Sequence, residues 1–364
     1  MLGGMGAVRW VDAGRGIAML MVVAGHTIDW TRADEVDPVV KVSLSLIVSC
    51  SLPLFFFISG VLATGVPHTS WRTLMARKVA PLLWVFLLWQ PVVFTYKLAA
   101  EASLPGQAPA DLSAALLRLL ASPLRPTGEL WFIWALAVFY VLTRALRGVP
   151  VRVQVAAAVA LSAVWVTVAP ALVSEDILAV IGVGWNGLVS YAAFFALGLA
   201  LPNARARVAS LSLTTAVVVA GLWITAVSVL SVVGLTATPI LAFVVKLSGL
   251  AGGVCLARLA QSWGFLRRVG RATMPLYLMH TTVIVLVLVA ATTTGIAPVP
   301  WSGTGAILLW AIAVSVGLVF GWMVDVADAT WLTRTVPARL RQMLRLPEQH
   351  VPLRFRGEAE RTRR

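Results

Sequence analysis

Charged residues are scarce in this 364-residue chain: only 12% of positions are Asp, Glu, Lys or Arg, and 59% belong to the apolar set AVILMFWYC. Soluble domains carry about 25% charged and about 45–50% apolar residues, so a water-soluble globule is excluded. Acids are rarer still, with 15 against 29 basic residues and a net charge of +14. In a soluble protein this excess would suggest a nucleic-acid partner. In so apolar a chain it indicates a membrane protein, and we expect no nucleic acid.

Cysteine is also nearly absent. Cys50 and Cys255 both lie inside apolar runs, which excludes a disulfide framework and a CxxC metal or redox pair, so we predict no metal centre. The N-terminus lacks a signal-peptide pattern, because Asp12 and Arg15 interrupt the stretch before the first apolar run. We therefore expect the first apolar segment to remain in the mature protein.

Long apolar segments make up most of what is present. A helix needs about 20 mostly apolar residues to cross the hydrocarbon layer of a membrane. Ten segments meet or approach this length, near Gly16 to Trp30, Val40 to Val66, Val79 to Ala99, Gly128 to Leu146, Val153 to Val173, Ile177 to Leu201, Val208 to Val232, Thr236 to Ala257, Ala272 to Gly295 and Gly303 to Val324. The sequence predicts an all-α polytopic membrane bundle of ten transmembrane helices over residues 1–325, followed by a basic tail at residues 326–364.

The loops between these segments alternate in charge. One set contains a single acid, Asp12, and fourteen bases: Arg9, Arg15, Arg72, Arg77, Lys78, Arg144, Arg147, Arg152, Arg205, Arg207, Arg258, Arg267, Arg268 and Arg271. The other set contains nine acids and five bases, namely Arg32, Lys41, Lys97, Arg118 and Arg125. Because cytoplasmic loops carry the excess of Lys and Arg, we expect both termini in the cytoplasm. The membrane is expected to be a bacterial inner membrane or another plasma membrane.

A few polar side chains fall inside the apolar segments. Such residues are costly in a membrane and usually face a cavity or a partner helix. At about 1.5 Å per residue, four of them lie roughly 13–18 Å from the cytoplasmic ends of their helices: His26, Gln90, Lys246 and His280. We group two further residues with these four as lining the same chamber: Asn186, in the middle of the sixth segment, and Glu129, at the start of the fourth. The sequence thus predicts a polar chamber near the midplane, reached from the cytoplasm.

The first segment carries an ordered polar stripe. Arg15 and His26 are eleven residues apart, so at about 100° per residue they share one helix face, and Asp12 falls on the same face. This layout suits a long anionic molecule held by Arg15 with its far end at His26. Histidine is the side chain most often used as a general base near neutral pH. The helix alone is equally consistent with His26 forming an interhelical hydrogen bond.

The other polar residues also have ordinary explanations. An Arg at a cytoplasmic helix end is normal topology, and His280 taken singly is most simply a structural residue. Lys246 is explained either by a carboxylate partner or by a bound phosphate. Ten spans with a midplane polar cluster also fit a different class of protein, a polytopic transporter or lipid-linked sugar translocase, which is the alternative function.

Several motifs resemble acyltransferase family 3, including its fucose 4-O-acetylase-like and polysaccharide O-acetylase branches. In chain order they are RWVDAGRGIAMLMVVAGH at Arg9 to His26, PLFFFISGVL at Pro53 to Leu62, RKVAPLLW around Pro81, GELWFIWAL at Gly128 to Leu136, and MPLYLMH at Met274 to His280. They extend over roughly the whole ten-segment region, and only the tail lies outside it.

This resemblance implies an integral membrane O-acyltransferase. Such an enzyme takes an acyl group, usually acetyl, from acetyl-CoA or another acyl-CoA at the cytoplasmic side. It delivers that group to a hydroxyl of a sugar, glycan or glycolipid, so the expected partners are membrane lipid, the acyl-CoA co-substrate and a carbohydrate acceptor. By the same resemblance His26 is the catalytic histidine, Arg15 contacts the acyl donor, and His280 is the second histidine of the family.

The same hypothesis gives roles to the remaining candidates. The phosphates of coenzyme A would meet the cytoplasmic bases Arg72, Arg77 and Lys78 through charge-assisted hydrogen bonds. Asp12 would hold Arg15 or orient the donor, and Asp29 would receive the acceptor from outside. His26 would act either as a base on the acceptor hydroxyl or as the carrier of the acyl group, and the sequence leaves both routes open.

Overall fold

Ten long helices account for the ten predicted segments. In the computed structural model, which describes residues 2–107, 111–201, 203–236, 238–296 and 299–347, these helices are α1 Leu2–Thr31, α2 Pro38–Val61, α3 Ala80–Ser103, α4 Trp131–Ala145, α5 Val151–Leu172, α6 Glu175–Leu199, α7 Leu213–Val232, α8 Pro239–Leu259, α9 Thr273–Thr293 and α10 Gly303–Val326. These parts of the chain contain no strand. The predicted all-α fold is confirmed.

Nine helices within the described ranges are long and apolar enough to cross a membrane, so the chain is a multi-pass membrane protein. They correspond to α2 through α10 and agree with the prediction of about ten, and α1 is the one predicted segment outside the nine. Although α1 has 30 residues, charged residues at both ends leave it too short an apolar stretch. It packs against α2, α8, α9 and α10. Because other helices surround it, α1 does not need a uniformly apolar surface.

Close contacts between backbones set the spacing of the central helices. A Cβ atom at Gly16 would lie 2.1 Å from the Leu266 carbonyl oxygen, and one at Gly270 would lie 1.8 Å from that of Asp12. These two glycines let α1 touch the short helix Gly264–Arg271. Small residues of this kind let membrane helices approach closely. Gly60 on α2 meets α6 in the same way, with its Cβ position 2.1 Å from the Phe195 oxygen.

The connection between α3 and α4 is folded against α6. It contains the amphipathic helix Leu112–Ala121, which Asp111 caps, and it then passes over a kink in α6 at Gly182, where φ is 77° and ψ is 162°. A Cβ atom at Gly184 would lie 2.3 Å from Pro126 Cγ, and Trp185 Nε1 donates a hydrogen bond to the Leu124 oxygen over 2.8 Å. The kink therefore holds the loop that leads into α4.

The predicted tail at residues 326–364 begins where α10 ends, and its first part folds back onto the bundle. Trp84 Nε1 and Trp89 Nε1 of α3 donate hydrogen bonds of 2.8 Å each to the carbonyl oxygens of Trp331 and Leu332. Asp325, buried at the end of α10, forms an ion pair with Arg334. Residues 348–364 of the tail lie outside the described residues.

Candidate functional site

The first of two adjoining cavities contains two cations, and we call it the Arg15 cavity. It has a volume of about 240 Å³ and is lined by residues of α1, α2, α3, α4 and α9 and by Lys78, which lies in a π-helical turn, Met75–Val79, just before α3. Arg15 Nη2 donates a hydrogen bond to Thr273 Oγ1 over 2.6 Å. Lys78 Nζ lies 5.5 Å from the centre of the Tyr140 ring. Two cations in an otherwise largely apolar cavity suit an anionic ligand with an apolar body.

The second cavity contains a histidine and two carboxylates, and we call it the His26 cavity. Its volume is about 150 Å³, and its polar lining residues are His26, Asp29, Ser51, Glu129, Tyr191 and Tyr277. Asp29 Oδ2 lies 3.9 Å from His26 Nδ1, and the two side chains are 59% and 31% exposed. This distance is too long for a hydrogen bond. The carboxylate is still close enough to stabilise a positive charge on the imidazole ring.

One wall separates the two cavities. Val22 of α1, Leu52 of α2, Phe132 of α4 and Tyr277 of α9 line both of them. Phe132 is held from behind by Phe56, whose ring centre lies 4.8 Å away. Arg15 and Val22 line the first cavity and Val22 and His26 line the second, so these three residues lie on one face of α1. A molecule in one cavity is therefore one side chain away from a molecule in the other.

His280 lies behind His26 and is completely buried. Its ring centre is 5.3 Å from that of His26. His280 Nδ1 lies 2.6 Å from the carbonyl oxygen of Tyr277, and since a carbonyl can only accept, Nδ1 carries the hydrogen. In the neutral ring Nε2 is then a hydrogen-bond acceptor, and it has no partner among the described residues.

Two tyrosines hold Glu129 at the His26 cavity. The Tyr96 hydroxyl donates a hydrogen bond to the Glu129 carboxylate, and the Tyr277 hydroxyl donates one to its backbone carbonyl. Gly128 lies in the left-handed region with φ of 66°, where a Cβ atom would lie 2.9 Å from Val93 Cγ1. A residue with a side chain would be strained at this position. Gly128 thus lets the loop pass close to α3 and bring Glu129 to the cavity.

The structure brings only part of the predicted chamber together. Lys246 reaches it indirectly, because its Nζ lies 3.4 Å from the Tyr191 hydroxyl and 5.1 Å from the centre of that ring. Gln90 is buried but lines a different cavity. Asn186 is exposed, and its Oδ1 accepts a hydrogen bond of 2.7 Å from Trp165 Nε1. Depth along the membrane alone thus grouped residues that face different directions.

The predicted donor contacts are also divided. Lys78 lines the Arg15 cavity, whereas Arg72 and Arg77 do not appear among its described lining residues. Arg72 Nη2 instead approaches the Arg345 carbonyl at 3.4 Å. Asp12 Oδ2 lies 3.8 Å from Arg271 Nη1, which links α1 to the short helix ending at Arg271.

Tyrosines are the functional residues that the sequence reasoning missed. The chain has four, and all of them lie in or beside these cavities: Tyr96 holds Glu129, Tyr140 lines the Arg15 cavity, Tyr191 lines the His26 cavity and Tyr277 lines both. Tyrosine combines an apolar ring with one polar group that usually finds a partner when buried. Because tyrosine is rare in this chain, its four positions could have been singled out as candidate site residues from the sequence. The fifteen tryptophans are too many to indicate a site.

A multi-pass helical protein with a histidine and carboxylates in one cavity and two cations in the adjoining one has the arrangement of a membrane-embedded enzyme. The acyltransferase domain that defines acyltransferase family 3 matches residues 8–324. The chain belongs to this family and is a membrane acyltransferase, which confirms the resemblance seen in the motifs and favours an enzyme over the transporter alternative. No curated protein and no solved structure gives a significant match to the chain.

Proposed function

We propose that this protein transfers an acyl group, in the simplest case acetyl, from a cytoplasmic acyl-CoA to a hydroxyl of a sugar, glycan or glycolipid. The observation that supports it is the wall shared by the Arg15 cavity and the His26 cavity. With the Arg-rich loops and both termini in the cytoplasm, the donor enters the Arg15 cavity and the acceptor approaches the His26 cavity from the opposite side. The reacting atoms then meet at Val22 and Tyr277.

The Arg15 cavity supplies contacts for the donor. Arg15 and Lys78 bind anionic groups of the acyl-CoA by charge-assisted hydrogen bonds. Thr273 keeps the Arg15 side chain directed into the cavity, since it accepts a hydrogen bond from Nη2. Apolar residues of α2 and α4 line the rest of the cavity and accommodate the uncharged arm that carries the thioester.

The His26 imidazole acts as the base. It takes the proton of the acceptor hydroxyl while the hydroxyl oxygen attacks the thioester carbonyl carbon. The tetrahedral intermediate collapses with cleavage of the carbon–sulfur bond, and the proton moves from His26 to the departing thiolate. Asp29 and Glu129 stabilise the imidazolium that exists between these two proton transfers.

A second route uses the same residues with a covalent step. A ring nitrogen of His26 attacks the thioester carbonyl carbon, the carbon–sulfur bond breaks, and the N–H proton of the acylated ring goes to the departing thiolate. The acceptor oxygen then takes the acyl group from the imidazole, and the hydroxyl proton returns to the ring. Single-turnover reactions with radiolabelled acetyl-CoA and no acceptor distinguish the two routes. Label on the wild-type protein but not on His26→Ala supports the carrier route, and no label on either supports direct transfer.

Membrane vesicles test the proposal as a whole. Inside-out vesicles from cells that express the protein are loaded with extracted cell-envelope glycan, so that the acceptor is on the side opposite to the cytoplasm, and radiolabelled acetyl-CoA is added outside. His26→Ala is expected to lower acetyl incorporation by about 100-fold or more, the usual contribution of a general base. His68→Ala is the matched control, because His68 is exposed in a turn outside both cavities. Unchanged incorporation in His26→Ala would overturn the role of His26.

The acceptor can be identified from cells. Surface glycans of a strain lacking this protein are compared by mass with those of the parent strain. Loss of an increment of acetyl size identifies the modified glycan, and complementation with wild type but not with His26→Ala assigns the change to this reaction.

A further inference from the structure

A third cavity lies beside Glu129 and plays no part in the chemistry above. This Lys97 cavity has a volume of about 330 Å³ and is formed by α3, the helix Leu112–Ala121, the loop before α4 and the kink in α6. Its strongly polar lining residues are Gln90, Lys97, Glu101, Arg118 and Arg125. It thus combines positive charge with hydrogen-bonding groups.

The charge of this cavity is opposite to that of its surroundings. The loops on this side of the protein carry nine acids and five bases, yet three of those bases, Lys97, Arg118 and Arg125, line this one cavity together with a single acid, Glu101. Arg118 Nη2 and Glu101 Oε1 form an ion pair at 2.8 Å. Even with that pair, the described lining has an excess of positive charge, which membrane topology does not require on this side.

Two buried polar atoms of residues that line this cavity have no hydrogen-bond partner among the described residues. Gln90 is only 4% exposed, and its Nε2 makes no hydrogen bond within the described structure; Glu101 Oε2 is in the same situation. Buried polar atoms are nearly always hydrogen-bonded. An unpaired donor and an unpaired acceptor on two lining side chains favour a polar ligand, and the hydroxyl groups of a sugar offer both kinds of partner.

The Lys97 cavity is also next to the reaction site. A Cβ atom at Gly128 would lie 3.5 Å from Lys97 Nζ, and the next residue, Glu129, lines the His26 cavity. The Lys97 cavity and the His26 cavity are therefore lined by consecutive residues of this loop, Gly128 and Glu129. The two cavities share no described lining residue but meet on either side of this peptide unit, within the length of a sugar.

We infer that the Lys97 cavity binds an oxyanion of the acceptor, a carboxylate or a phosphate, while a hydroxyl of the same acceptor reaches His26. The acceptor is then an acidic or phosphate-bearing sugar rather than a neutral one. Lysine and arginine are the side chains that bind such groups by charge-assisted hydrogen bonds. This inference rests on the proposed function for the reaction at His26, but anion binding can be measured without turnover.

Thermal unfolding of the purified full-length protein in phosphatidylcholine nanodiscs measures this binding. Sodium phosphate and sodium glucuronate are expected to raise the unfolding midpoint at constant ionic strength, and glucose is not. Lys97→Gln and Arg125→Gln lose the rise. Lys41→Gln, a base on the same side but outside this cavity, keeps it.

Further variants separate folding from binding. Lys97→Arg preserves the charge and retains the rise, so a rise lost in Lys97→Gln and regained in Lys97→Arg reports the charge and not a damaged fold. No rise in the wild type, or a full rise in Lys97→Gln, overturns the inference. A rise with phosphatidylglycerol in the nanodiscs and none with the soluble anions also overturns it, because the cavity would then hold a lipid headgroup.

The His26→Ala variant distinguishes this inference from the proposed function. It is expected to keep the phosphate-dependent rise although it no longer transfers acetyl groups. If acetyl transfer requires His26 but no anion-dependent rise is found, only the anion site fails. In vesicles that support turnover, Lys97→Gln is expected to raise KM for the acceptor about tenfold while kcat and KM for acetyl-CoA stay unchanged, which a structural role of Lys97 would not produce.

Discussion

The imidazole rings of His26 in α1 and His280 in α9 lie with their centres 5.3 Å apart. His280 Nδ1 is committed to the Tyr277 carbonyl oxygen, so its Nε2 is the nitrogen left to interact with the neighbourhood of His26. Two imidazolium charges at this separation would repel each other. His280 packs beside His26 with Nε2 unengaged by any described residue, and we therefore expect it to act as a positioning residue for His26.

Paired substitutions of His280 test which of its nitrogens matters. His280→Asn places an amide nitrogen where Nδ1 lies and removes Nε2, whereas His280→Gln places one near the position of Nε2. We expect His280→Asn to lower kcat about tenfold or more, equivalent to about 1.4 kcal/mol, and His280→Gln to retain more activity. KM for acetyl-CoA should stay constant, because His280 is not among the described lining residues of the Arg15 cavity. Equal kcat values for both variants and the wild type would leave His280 a purely structural role.

Removing the Arg15 charge should weaken donor binding. A hydrogen bond to a charged group contributes about 1.5–3 kcal/mol, so Arg15→Gln is expected to raise KM for acetyl-CoA by about tenfold or more. Arg15→Lys should lose less, and Thr273→Val should show a smaller increase because it removes only the acceptor of the 2.6 Å hydrogen bond. Initial rates at varied acetyl-CoA measure these effects. Arg77→Gln, an exposed base nearby, is the control.

A methyl group at Gly16 should destabilise the bundle. Its Cβ would lie 2.1 Å from the Leu266 carbonyl oxygen, so α1 and the helix Gly264–Arg271 would have to separate, at a cost of about 1–3 kcal/mol or more. Gly221→Ala in α7 is the matched control, because nothing lies within 4 Å of its Cβ position and Ala is the better helix former. Thermal unfolding in detergent should show a lower midpoint temperature than the wild type for Gly16→Ala and no such decrease for Gly221→Ala.

The ion pair between Asp325 and Arg334 should hold the start of the tail on the bundle. Both side chains are largely buried, with 4% and 11% exposure, and breaking a buried pair is strongly destabilising. Asp325→Asn is expected to speed tryptic cleavage after Arg339 and Arg341 by about tenfold, which requires a loss of only about 1.4 kcal/mol. Cleavage is followed by mass spectrometry as the appearance of fragments that end at Arg339 or Arg341. Asp328→Asn, at an exposed position three residues on, should leave the rate unchanged; equal rates for both variants would show that the ion pair does not anchor the tail.

Residue order along the chain was enough to predict the helices and to predict which residues share a face of the same helix. The apolar runs correspond to α2 through α10, and the eleven-residue spacing of Arg15 and His26 places both on one face of α1. Helical periodicity is a local property, so it can be read without knowing the neighbours. The motifs that resemble acyltransferase family 3 likewise lie within single helices or their ends.

Tertiary structure decided which faces meet. Gln90 and Asn186 lie at suitable depths but do not line the His26 cavity. Lys97 was counted only among the bases of the loops, yet it lines a cavity beside Glu129. The physical reason is that membrane depth determines the height of a side chain but not the rotation of its helix about its own axis. That rotation is set by packing between helices, through contacts such as that of Gly16 with Leu266.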